Sequence, residues 1–145
     1  MRSLRLLATT AFAFCLTATG SVQARALTVR DEGYLRFSSS SGSQLLDHGE
    51  LHGTLPGQAR VSFVYDGNPT ISANFVIYGP GWSLKGHATC RLNSPNSPAP
   101  SFRGSLTLAG GTGRYAHSHG SGELFGVFYR HSYALRVQAI GKLQH

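Results

Sequence analysis

Apolar and polar positions alternate along much of this chain. Between positions 82 and 92, Trp82, Leu84, Gly86, Ala88, Cys90 and Leu92 fall on one face of an extended backbone, and Ser83, Lys85, His87, Thr89 and Arg91 on the other. Alternation sustained over this length marks a half-buried strand, because successive side chains point to opposite faces. The end of the chain repeats it, with Tyr133, Leu135, Val137, Ala139, Gly141 and Leu143 set against Arg136, Gln138 and Lys142. Phe102, Gly104, Leu106 and Leu108 do the same against Arg103, Ser105 and Thr107. Segments 26–37, 44–55, 59–66, 70–79 and 116–128 follow the rule with more interruptions.

Turn chemistry separates these segments. Ser38-Ser39-Ser40-Ser41-Gly42, Pro56-Gly57, Asp66-Gly67-Asn68-Pro69 and Gly79-Pro80-Gly81 each favour a reversal, and the stretch 94–101 holds three of the six prolines in the longest loop. Past the first two dozen residues, no segment carries a helical stripe. Eight short strands with short connections pair antiparallel in chain order, so the predicted fold is all-β, an eight-stranded antiparallel up-and-down β-barrel. Closure also removes exposed sheet edges. A two-sheet β-sandwich is the structural alternative.

Composition narrows the class. The chain has 145 residues, 13 of them basic and six acidic, for a net charge of +7; only 13% are charged and 18 are glycine. That is too few charges for a disordered tail, and the glycines lack the three-residue period of collagen. Lysine appears only at Lys85 and Lys142, which excludes a coiled coil. The beginning differs from the rest. Arg2 and Arg5 precede an apolar run from Leu6 to Leu16, followed by small residues at Val22-Gln23-Ala24. Basic, apolar and small-residue zones in that order predict a cleaved secretory signal peptide over 1–24, with Ala26 as the alternative cleavage point. The run is too short to span a bilayer, which needs about 20 residues. Cys15 follows Phe14 rather than a small residue, which argues against lipidation. The expected mature chain, 25–145, is a single barrel domain, secreted or periplasmic. Its lone thiol, Cys90, rules out an internal disulfide.

One motif is specific. Ala109-Gly110-Gly111-Thr112-Gly113-Arg114-Tyr115-Ala116 runs into His117-Ser118-His119-Gly120-Ser121-Gly122 between two strand patterns. It resembles the glycine-rich signature of the allene oxide cyclase and dirigent β-barrel superfamily, over roughly the last third of the mature chain. The resemblance implies an eight-stranded barrel; some plant members are cyclases or guide radical coupling, but no catalytic acid of theirs matches a position here. In physical terms Gly110, Gly111, Thr112 and Gly113 form a structural turn, since glycines permit positive φ and close backbone approach. The stretch Gly111 to Ala116 also fits G-x-G-x-x-A, yet a dinucleotide site requires a following helix, and a strand follows instead.

Histidines are the other chemical signal. His117, His119 and Glu123 share one parity and are expected on one strand face, where two imidazoles and a carboxylate would hold a divalent metal. Their spacing from Gly111 resembles the first cupin motif, although Arg130 stands where that motif wants glycine. His48, Glu50 and His52 oppose Leu45, Leu51 and Leu55, and so are expected to face solvent. Cys90, on the apolar face, reads as a buried inert thiol. The basic residues are spread singly, without a run, which argues against nucleic acid as a partner. No serine sits in a nucleophile elbow.

The leading expectation is therefore a non-catalytic secreted barrel with no cofactor, binding a small apolar or aromatic ligand near Trp82, Arg114 and Tyr115, or serving as a structural envelope protein. The alternative is an enzyme: a cyclase or isomerase, as the superfamily resemblance allows, or a metal-dependent oxygenase using His117, His119 and Glu123. An open interior would favour a binder or an enzyme, and a solid core a structural role. The sequence names no ligand and no oligomeric state.

Overall fold

A computed structural model describes residues 25–145; the expected signal peptide, 1–24, lies outside the described residues. Eight strands follow one another: β1 (Ala26–Ser41), β2 (Gln44–Gly53), β3 (Gly57–Val64), β4 (Thr70–Gly79), β5 (Trp82–Asn93), β6 (Ser101–Thr112), β7 (His119–Tyr129) and β8 (Ala134–Gln144). Each pairs antiparallel with its neighbours in sequence, and β1 pairs with β8 from Ala26↔Gln144 to Leu35↔Leu135, which closes the sheet. The molecule is an up-and-down barrel, not a sandwich. Closure works because β1 is long. Its first part, to Leu35, bonds to β8 and its last part, from Asp31, to β2, with only Asp31 to Leu35 spanned by both ladders.

The alternation read from the sequence becomes the inside and outside of the barrel. Leu84, Ala88 and Leu92 of β5 point inward with Phe102, Leu106 and Leu108 of β6 and Leu135 and Leu143 of β8, and all are buried. Lys85, His87, Arg91, Arg103, Arg136 and Lys142 point outward and are exposed. An apolar interior inside a polar exterior is the reverse of a membrane-embedded barrel, whose outer band is apolar. Among the described residues, no helix is long and apolar enough to cross a membrane.

Two boundaries differ from expectation in ways that bear on the site. The seventh strand begins at His119 rather than at 116, because a single 3-10 turn, Gly113–Tyr115, and the residues after it carry the chain across the barrel end. The glycine-rich motif is therefore divided. Gly110, Gly111 and Thr112 complete β6, and Gly113 opens the turn. Between Leu84 and Gly86 of β5, two steps, the partner strand takes three, from Gly111 to Leu108. This β-bulge places its extra residue at Ala109-Gly110, and Gly110 adopts φ +81, which glycine accepts without the steric cost of a Cβ.

Candidate functional site in the barrel interior

Both barrel ends are closed by aromatic groups. At one end the indole of Trp82 meets the ring of Tyr115 edge to face, with centroids 5.0 Å apart, and the Arg114 guanidinium lies 5.5 Å and 4.9 Å from the two rings. Trp82 starts β5 and Tyr115 ends the 3-10 turn, so the turn is what folds the tyrosine over the opening. Leu55, in the β2–β3 connection, is buried at the same end. The three residues expected at a ligand-binding mouth are thus brought together. They act as a lid: Trp82 and Tyr115 are buried, and none of the three lines the cavity beneath.

At the opposite end Phe128 stands at the centre of a second cluster, 6.0 Å from Phe63, 4.9 Å from Tyr65 and 6.3 Å from Tyr133. The proline-containing loop folds back onto it. Pro100 is fully buried, and its carbonyl accepts the Phe128 N–H at 2.9 Å.

Between the two plugs the interior is not filled. A cavity of about 130 Å³ remains, walled by Val29, Leu51, Phe75, Ala88, Leu106, Val137 and other apolar side chains from all eight strands. Its small-residue positions, Ala73, Ala88 and Ala139, are where a larger side chain would have filled it. Cys90 also lines it, and burial pushes its thiol up to about 11, so it is protonated and inert at neutral pH.

One acid, Asp31, stands among the residues around this apolar wall. Asp31 lies on the inward face of β1 between Val29 and Leu35 and is buried. Its Oδ1 accepts the Leu55 N–H at 2.8 Å, which fixes the carboxyl group, while Oδ2 has no partner. Burial raises its pKa, opposed by backbone hydrogen bonds from Leu55 and Thr54. A second acid, Asp47 on β2, is fully buried with both oxygens unpartnered, and burial pushes its pKa to about 7. Asp47 does not line the cavity; it pairs with Phe37 and Val61 toward the Phe128 end. Neither acid stands out in the sequence, although parity with Val29 and Leu35, and with Leu45 and Leu51, places both on the inward face.

No family model, curated protein or solved structure matches this chain.

The structure does not assemble the expected metal trio. His117 lies in the turn before β7 rather than on it, so shared parity no longer gives a shared face. His119 and Glu123 lie on β7 but are exposed, and Glu123 pairs with Arg103 of β6 at 3.6 Å. Among the described residues, no three His, Cys, Asp or Glu side chains come together as a ligand set. His48, Glu50 and His52 are solvent-facing, as their opposition to the leucines required, with His52 Nε2 4.0 Å from Glu50.

Proposed function

We propose that this protein is a secreted or periplasmic, non-catalytic β-barrel that holds one small apolar or aromatic molecule in its interior. The apolar interior cavity of about 130 Å³ carries this reading. A purely structural barrel would fill that space, because the side chains around a void forgo dispersion attraction that nothing else restores. An eight-stranded barrel is wide enough for either outcome. The volume is near that of an engineered apolar cavity of roughly 150 Å³ which stays dry and accepts benzene or xenon.

Ligand occupancy is expected to stabilise the fold by mass action. Benzene should raise the melting temperature in a saturable way. Ala139→Leu, which extends a larger apolar side chain into the cavity, should abolish that rise while remaining folded. The reading fails if benzene leaves the melting temperature unchanged, or if Ala139→Leu responds as the unsubstituted protein does.

A further inference from the structure

On the outer face of β3 to β6, independent of the interior cavity, lies a depression of about 430 Å³. Two cross-strand rows form it. Arg60, Val76 and Lys85 face one another on β3, β4 and β5, and Ser62, Asn74, His87 and Thr107 form the next row, extending onto β6. With strands about 4.8 Å apart, Arg60 and Lys85 start roughly 10 Å from each other, across Val76. Both side chains are long enough to converge on one group above it.

The hollow has a local cause. A barrel's outside is convex, but the β5–β6 bulge leaves Lys85 without a directly paired neighbour on β6. Leu46, Val76 and Ala109 complete an apolar base.

Its charge has one sign. No carboxylate lines the depression, and among the described residues neither Arg60 nor Lys85 forms an ion pair. Hydrogen-bonding groups surround the two cations. Ser62 Oγ accepts from Gln44 Nε2 at 2.7 Å and keeps its own hydroxyl proton to donate. His87 Nδ1 lies 3.0 Å from Asn74 Oδ1, which leaves Nε2 free. The whole exterior reinforces this: eleven basic residues accompany six acids in 25–145, and two of those acids, Asp31 and Asp47, are buried inside.

We infer that this depression binds a phosphate monoester, its phosphate held between Arg60 and Lys85 and its organic part resting on Val76 and Leu46. Two cations flanking one point suit a dianion better than a single carboxylate, and a guanidinium offers paired donors to phosphate oxygens. The apolar base gives an organic ester an advantage over the bare anion.

Phenyl phosphate is the probe, titrated into the full mature protein and followed through the backbone amides. Saturable shifts are expected at Val76, Lys85 and His87. The double variant Arg60→Gln, Lys85→Gln, both on exposed side chains, should bind at least tenfold more weakly, whereas Arg91→Gln, outside the depression, should bind as before. The assignment is overturned by the absence of saturable shifts, by undiminished affinity in the double variant, or by phenol binding at the same residues as tightly as its phosphate. Inorganic phosphate bound as tightly as the ester would equally overturn it.

Discussion

Asp47 is the residue whose surroundings least suit its chemistry. A carboxylate removed from water without a hydrogen-bond partner is costly when ionised, so the folded chain holds its proton up to about pH 7. The sign of the consequence follows. The folded pKa lies above the unfolded value of 3.8, so between the two the folded state binds more protons than the unfolded state. Stability is highest below about pH 4, falls as pH rises toward 7, and changes no further above it on this group's account. Asp31, also raised, acts in the same direction. Asp47→Asn removes the titration. Relative to the unsubstituted protein its unfolding free energy should gain roughly 4 kcal/mol between pH 4 and pH 8. Urea unfolding at a series of pH values measures this, and parallel pH profiles for the two proteins would contradict it.

Both buried acids are legible in principle, since parity alone places Asp31 with Leu35 and Asp47 with Leu51. They escape notice because carboxylates are rarely fully buried, and composition therefore assigns them to the surface. His117 misleads in the opposite direction. Parity is meaningful only while the chain remains extended, and the 3-10 turn ends the extension before that residue is reached.

At the level of elements, the glycine-rich end of β6 shows how local sequence sets global geometry. Gly110 supplies the positive φ of the bulge. Gly111 serves close approach instead, lying so near β5 that a Cβ would run into the Ser83 carbonyl. Gly42, in the β1–β2 hairpin, has open space around it and only its φ of +59 to protect. Gly111→Ala should therefore cost clearly more than Gly42→Ala, about 3 kcal/mol against about 1 kcal/mol. Chemical denaturation of both variants tests the order. Equal costs would mean that the β5–β6 approach is not tight.

Strand positions are readable because period two is a property of each segment taken alone; β4 spans 70–79 as the alternation predicts. The bulge is not, since it is a relation between strands. The depression around Arg60 and Lys85 is hidden for the same reason. Those residues are 25 positions apart in sequence and become neighbours only through the register with Val76.

For the whole molecule, closure is predictable from strand number and short connections, but the state of the interior is not. Whether eight strands enclose a solid core or a void depends on how side chains from all eight interdigitate. Here Ala73, Ala88 and Ala139 meet around space that Leu and Phe elsewhere fill. Aromatic clusters stand at both ends of this space: Trp82 and Tyr115 at one, and Phe128 with Tyr65 at the other. The proposed container role rests on this interior, while the outer face is a distinct, basic surface.

Methyl NMR of the chain spanning 25–145 during a toluene titration tests the container most directly. The cavity-lining methyl groups of Leu106, Val137 and Ala139 should shift together along one saturating curve, while the exposed Val64 and Val76 remain in place. Absence of saturable shifts at the lining residues, or shifts confined to Val64 and Val76, would contradict an interior that holds a ligand.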